Sequence, residues 1–346
     1  RRQRQMCIRD RVIPEKYGGS GLGMLEMALA MDTLAAEGCG LAGPGMLVLT
    51  AVMASLAITK YGSEYLKEKY LPKIAKGEFE FCIGITEPDA GTNTLNTKTF
   101  ARKEEDGSYT INGQKIFISG ADHANGIILV TRTTPLEKAP KKTFGISLFV
   151  IDLPNPSIEA IPIEKHGLNY INSCEVYLSD VRVPKENLLG EEGKGVIYLE
   201  KILNEIRIMM AALGLGLAKS AFETGIRYAK EREAFGRPIS KFQLIQEKIA
   251  EMDTKITNSQ LLTYYTAWLK DQGRPHYKEA AMAKFYSTET ASFVVDEVTR
   301  IHGAYGIAKE YNAQRYFRDA RFLLFGGGTS EILKIIIARE RLKEAI

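Results

Sequence analysis

The chain is 346 residues long and poor in the residue types that build metal and disulfide frameworks, with four cysteines, four histidines and one tryptophan. Cys7, Cys39, Cys82 and Cys174 are widely scattered and form no CxxC pair. Neither a zinc knuckle nor a disulfide scaffold is indicated, which fits a reducing, cytoplasmic compartment. His123, His166, His276 and His302 show no HExxH or other ligand spacing, so no metal site is expected. No GxGxxG opens a helix after a strand, and no GxxxxGK[ST] or GxSxG occurs. Rossmann, Walker and esterase sites are therefore unsupported. Long apolar runs are also scarce. The longest, Met46 to Ile58, is interrupted by Thr and Ser and falls short of a bilayer span.

Net charge is small, with 46 Lys and Arg against 42 Asp and Glu. Residues 1–11 hold five Arg and one Asp, which accounts for the whole excess. The remainder is electrically balanced, so no nucleic-acid partner is indicated. The Arg-rich start lacks an apolar core and is no secretory signal. It reads as an extraneous segment ahead of Val12-Ile13-Pro14, although a nucleic-acid arm or transit peptide shares its composition.

Three zones follow. From about Gly21 to Lys76 the pattern is helical, with helix ends expected at Gly38 and Gly62. From about Phe79 to Pro184 the period changes to two. Asn112–Gly113, flanked by Tyr109, Ile111, Ile116 and Ile118, predicts a type I′ hairpin. GIILVTRT, ISLFVIDL, SIEAIPIE and CEVYLSDVRV read as further strands of a sandwich or barrel. Beyond Asn187, long helices are expected near 196–233, 240–272, 276–301 and 330–345, lengths suited to a bundle. The fold class is α+β and multidomain. The expected divisions are 1–11, an incomplete helical domain over 12–78, a β domain over 79–185 and a helical bundle over 186–346.

Three polar or glycine-rich segments stand out. Thr86-Glu87-Pro88-Asp89-Ala90-Gly91-Thr92 is either a ligand-holding loop or a plain turn leading into a strand. Phe117-Ile118-Ser119-Gly120 sets an aromatic beside a hydroxyl at a strand end, which core packing also explains. Gly326-Gly327-Gly328-Thr329-Ser330-Glu331 resembles a helix N-terminus open to an anion.

Taken together, TEPDAGT, NGQKIFISG, DVRVP, REAFGRPISKFQLIQEKIAEM, HGAYGI and RDARFLLFGGGTSEI occur in the order and spacing of the acyl-CoA dehydrogenase family. The resemblance covers nearly everything from Ile13 to Glu340. It implies an N-terminal helical domain, a central β-barrel or sandwich and a C-terminal four-helix bundle. It also implies FAD bound between the β domain and the bundle, an acyl-CoA thioester substrate, and a homotetramer or homodimer. An electron-transfer flavoprotein is the implied acceptor. By the resemblance, Ile85, Thr86, Gly91 and Thr92 form the loop that contacts flavin and substrate. Phe117, Ile118 and Ser119 match the aromatic-Ile-hydroxyl element near flavin N5. Arg232, Phe235 and Gln243 match positions that reach a neighbouring subunit's FAD, while Thr329 and Glu331 match the segment at its adenosine half. Arg300 and Gly303 fall in the cofactor region, where the family's Gln is replaced by Arg300 and one of its paired glycines by Ala304. Asn204 and Arg207, with Thr92, match the thioester side.

One thing the family supplies is missing. Oxidising a Cα–Cβ bond needs a base for the α-proton, and a carboxylate in a dry pocket serves well. The family's two positions for that Glu are Gly327 and Ile206 here. The nearest carboxylate, Glu205, stands one residue away, a rotation of roughly 100° on a helix. Glu205 is thus the candidate base, against the reading of a salt-bridged helix residue. The resemblance implies α,β-dehydrogenation with hydride passing from Cβ to flavin. The alternatives are an enoyl-CoA reductase running in the opposite direction, or a base-less FAD/acyl-CoA-binding homologue.

Overall fold

Alternating apolar residues between Phe81 and Leu189 build one eight-stranded sheet, seen in a computed structural model that describes residues 10–344. The strands are β1 (Phe81–Gly84), β2 (Phe100–Lys103), β3 (Tyr109–Ser119), β4 (Gly126–Arg132), β5 (Ile146–Asp152), β6 (Ile158–Ile163), β7 (Ser173–Val183) and β8 (Leu188–Leu189). Their spatial order is β6-β7-β3-β2-β4-β5-β8, with β1 added in parallel to β4. Tyr109, Ile111 and Ile118 of β3, Ile127 and Leu129 of β4, Phe149 of β5 and Val176 of β7 share one buried cluster. Burial of these side chains contributes about 1.5–3 kcal/mol each.

The structure corrects the expected hairpin at Asn112–Gly113. β3 runs unbroken through this pair, and the β2–β3 turn lies at Asp106–Gly107 instead. There Gly107 takes φ 82, and the Asp106 carboxylate accepts from the Ser108 N–H at 3.0 Å. Asn112–Gly113 sits where the register against β7 breaks. Asn112 and Asp180 exchange two 2.9 Å hydrogen bonds across that irregularity. Gly113 has φ 151, and a Cβ there would lie 2.6 Å from Thr99 Oγ1. Asn-Gly serves a bulge here.

Helices α1 (Met24–Leu34), α2 (Ala42–Tyr61) and α3 (Glu64–Ala75) precede the sheet. α2 extends the Met46–Ile58 run to 20 residues, a length and composition that would also suit a membrane span. Its apolar side chains are largely buried within the structure, as in a core helix. After the sheet come α4 (Gly195–Glu231), a short hairpin of β9 (Glu233–Ala234) and β10 (Arg237–Pro238), and α5 (Gln243–Asp271). α6 (Tyr277–His302), α7 (Ala313–Leu323) and α8 (Ser330–Glu344) complete the chain. α7 was not among the expected helices.

The chain divides into two compact units. The first combines the segment ending at Gly23 with Met46–Lys165 and Asn169–Leu203, and so contains the sheet. The second combines Met24–Gly45, His166–Leu168 and the chain from Asn204 onward. In the second unit the Asp271 carboxylate caps α1, accepting from the Met24 and Leu25 N–H groups at 2.7 and 2.8 Å. Buried Asp32 of α1 accepts from Lys219 Nζ at 2.7 Å and from the Tyr264 hydroxyl, tying α1 to α4 and α5. These bonds satisfy polar groups that burial would otherwise penalise.

Candidate active site

In the first unit, the Thr86–Thr92 loop is built around an ion pair that the sequence motifs did not single out. The Glu87 carboxylate is buried and accepts from Lys115 Nζ at 2.8 Å, the Lys98 N–H at 2.6 Å, the Thr99 N–H at 3.0 Å and the Thr97 hydroxyl. Lys115 has no exposed surface and also reaches the Ile85 carbonyl at 3.1 Å. Burial pushes the Lys115 ammonium down to about 8 against the pull of Glu87. Burial raises the Glu87 carboxyl, but the Lys115 charge and the converging hydrogen bonds outweigh it and hold it at about 2. The visible signal was a lysine among the inward positions of β3, where only a buried partner makes its charge tolerable.

This anchor fixes the candidate loop to the candidate strand. Thr86 O accepts from the Ile116 N–H at 2.9 Å, one residue before Phe117. The β3–β7 register breaks between Lys115 and Ile118, leaving Phe117 at φ 59 with its ring 60% exposed. A phenylalanine in the left-handed region costs roughly 1–2 kcal/mol, a strain typical of positions that contact a ligand. Ile118 is buried, and Ser119 returns to the ladder opposite Ser173. Gly91 and Thr92 lie exposed at the far end of the loop.

In the second unit, α4 presents Asn204, Glu205, Ile206 and Arg207 as consecutive buried residues. Glu205 is directed to α5, where Lys270 Nζ stands 3.6 Å from Oε1. Arg207 is directed to the glycine loop, with Nε donating to Gly327 O at 3.4 Å. The helical rotation between the two positions separates their partners. Gly327 has φ 74, and a Cβ there would meet Met210 Cγ at 3.3 Å. Lys284 of α6 lies beneath the same loop, fully buried, and donates to Gly328 O at 2.7 Å and Leu324 O at 3.3 Å. Burial pushes its ammonium down to about 8. Thr329 Oγ1 accepts from the Ile332 N–H at 3.3 Å and caps α8. The first-turn Glu331 carboxyl is lowered chiefly by a backbone hydrogen bond, then by the Thr329 hydroxyl.

The remaining candidates are spread over the second unit. Phe235 sits at φ 52 on the β9–β10 hairpin, 97% exposed. Arg232 places its guanidinium 6.0 Å from the Tyr305 ring, and Gln243 opens α5. Arg300 is exposed, with Nε 2.8 Å from Asp296 Oδ2. Gly303 ends α6 with φ 58. Among the described residues, no group of three or more His, Cys, Asp and Glu is arranged to hold a metal.

The first unit thus holds a strained aromatic-hydroxyl strand beside an anchored polar loop, and the second a glycine turn beside a buried arginine. Comparison with known families identifies the chain. The acyl-CoA dehydrogenase N-terminal domain matches residues 11–78, the middle domain 82–181 and the C-terminal domain 193–342. The chain belongs to the acyl-CoA dehydrogenase family, whose members are flavin oxidoreductases acting on CH–CH donors. It is 39% identical to benzylmalonyl-CoA dehydrogenase of Aromatoleum aromaticum over 94% of this chain and 85% of that one. The structure of butyryl-CoA dehydrogenase from Megasphaera elsdenii superposes with a TM-score of 0.92 at 34% identity, covering 97% of this chain and 87% of that one. A glutaryl-CoA dehydrogenase from Mycobacterium smegmatis in complex with FADH2 gives 0.89 at 27% identity, with 98% and 86% covered.

Proposed function

We propose that the protein is an FAD-dependent oxidoreductase that introduces an α,β double bond into an acyl-CoA thioester. The observation that carries this reading is Phe117, held exposed at φ 59 between the Thr86 loop and Ser119. A flat ring with polar edges fits such a place, because the aromatic offers a face while Thr86 and Ser119 offer hydroxyls. Ile85, Thr86, Phe117, Ile118, Ser119, Thr329 and Glu331 would hold the flavin, with Arg232, Phe235, Gln243, Arg300 and Gly303 as its further contacts. When bound, that group supplies the two-electron acceptor for a hydride leaving Cβ.

The chain's own residues supply position and environment. The Glu87–Lys115 pair keeps the Thr86–Thr92 loop in one geometry, since neither charge is stable if the other moves away. Thr92, Asn204 and Arg207 are assigned to the thioester side. Glu205 is engaged by Lys270, and this geometry favours an ion-pair role for it over that of a base. A homotetramer or homodimer, an electron-transfer flavoprotein as acceptor and a cytoplasmic setting complete the proposal. One relative is named for a benzylmalonyl thioester and one similar structure for a butyryl thioester, so the names do not fix the acyl group.

The test is spectroscopic. The purified protein is expected to carry flavin that is released as FAD on denaturation. Under anaerobic conditions its absorbance should bleach on addition of a CoA thioester. Retained flavin that no thioester binds to or bleaches would contradict the proposal.

A further inference from the structure

Three glycines in a row leave a backbone free to take many paths, so the turn that leads into α8 needs fastening. Gly327 and Gly328 sit at φ 74 and 113. The turn closes on itself through the Gly328 N–H to Phe325 O and the Ser330 N–H to Leu324 O, both at 3.1 Å. Beneath it lies Lys284 of α6, with no exposed surface. Its Nζ donates to Gly328 O at 2.7 Å and to Leu324 O at 3.3 Å, so one ammonium holds both ends of the turn. Glu289, further along α6, accepts from the Ser330 hydroxyl at 2.5 Å. Arg207 Nε donates to Gly327 O at 3.4 Å and is itself backed by the Tyr277 ring, 5.6 Å away.

A lysine is a costly residue for this place. Burial pushes its ammonium down to about 8, while Glu289 and Glu331 favour the charge and Arg207 opposes it. At neutral pH it therefore remains chiefly charged. A methionine of similar length would fill the space without the desolvation cost. What the ammonium adds is two charge-assisted hydrogen bonds, each about twice as strong as a neutral one, aimed at two points of a segment that its own residues hold weakly.

We propose that Lys284 is a positioning residue that clamps the Leu324–Gly328 turn and thereby sets the start of α8, where Thr329 and Glu331 stand. The proposal rests on the reading above that assigns Thr329 and Glu331 to the flavin. Lys284 is sealed beneath the turn and acts through it.

Amide hydrogen exchange on the full-length protein reads the clamp without any flavin. Lys284→Met is expected to speed exchange over residues 324–333 by about tenfold, the worth of one hydrogen bond to a charged group. Exchange over 252–269 of α5, which packs along α6, should stay at the wild-type rate. Fluorescence titration with FAD should show about tenfold weaker binding by the same variant. Lys284→Arg keeps the charge and the donors and should restore most of both. A role in stability alone would speed exchange in α5 and the turn together, and that outcome overturns the proposal. Unchanged exchange at the turn overturns it too, as does faster exchange there with FAD affinity kept. Should Lys284→Met fail to fold, Lys284→Gln, which keeps a neutral donor, carries the same two measurements with a smaller expected change. If the wild type binds no FAD, the flavin reading falls, and exchange at the turn alone decides whether Lys284 is the clamp.

Discussion

Lys115 and Arg207 are both buried cations, one in each compact unit, and their surroundings are opposite. Lys115 meets the Glu87 carboxylate at 2.8 Å, and that carboxylate is completed by Thr97, Lys98 and Thr99. Arg207 meets a backbone carbonyl at 3.4 Å and the Tyr277 ring at 5.6 Å, and its Nη1 has no hydrogen-bond partner among the described residues. The first arrangement is closed and its charges cancel inside the fold. The second is looser, its charge resting on a carbonyl dipole and a ring face. An ion pair closed inside the fold fixes a loop in one geometry, whereas a guanidinium held by a dipole and a ring keeps donor capacity in hand.

The largest effect should come from breaking the closed pair. Lys115→Met leaves Glu87 buried without its counter-charge and is expected to lower the unfolding free energy by about 3–5 kcal/mol. Adding Glu87→Leu to that variant should recover much of the loss, because the stranded charge is then gone. Urea unfolding of the two variants measures both numbers.

Acid should open the same pair without mutation. The Glu87 carboxyl sits at about 2 in the folded chain against its ordinary 4.5. The lower value belongs to the folded state, so the unfolded chain takes up the proton first as the pH falls. The stabilisation is fully present above about 4.5 and fades towards pH 2, a total of roughly 3 kcal/mol. Urea midpoints at pH 5 and pH 3 should differ more in the wild type than in the Glu87→Leu, Lys115→Met double variant.

Arg207→Met should behave in the opposite manner to Lys115→Met. It removes a charge held by a carbonyl and the Tyr277 ring but by no ion pair among the described residues, so stability is expected to stay within about 1 kcal/mol of the wild type or to rise. A loss of several kcal/mol in thermal unfolding would show that Arg207 is paired after all and would erase the contrast. The smallest effect belongs to Arg300→Gln. Arg300 is exposed and paired with Asp296 one turn away, so the change should stay within about 0.5 kcal/mol.

Much of the fold was legible in the sequence because its elements are long and their periods distinct. The helices expected near 196–233, 240–272, 276–301 and 330–345 fall within a few residues of α4, α5, α6 and α8. Strands β4 to β6 lie inside the runs read as strands, and β7 exceeds its run by Ser173 alone. Asn112–Gly113 misled because a bulge and a hairpin turn call for the same residue types, and only the Asp180 partner, 68 residues away, distinguishes them. Helix α7 is short and rich in Arg315, Arg318 and Arg321, yet Ala313, Tyr316, Ala320 and Leu323 recur at helical spacing and are buried, so its signal was present and went unread. In the site, the absence of a carboxylate at Gly327 and Ile206 followed from the family resemblance. The pairing of Glu87 with Lys115 across 28 residues did not, and neither did the unpartnered Nη1 of Arg207. Both depend on how separate strands and loops come together in three dimensions.

The most direct test of the central claim follows the flavin itself. Under anaerobic conditions the FAD-loaded protein would be given CoA thioesters of varied acyl group. The account predicts that its absorbance bleaches as hydride passes to the flavin. Retained flavin that no thioester binds to or bleaches would contradict it.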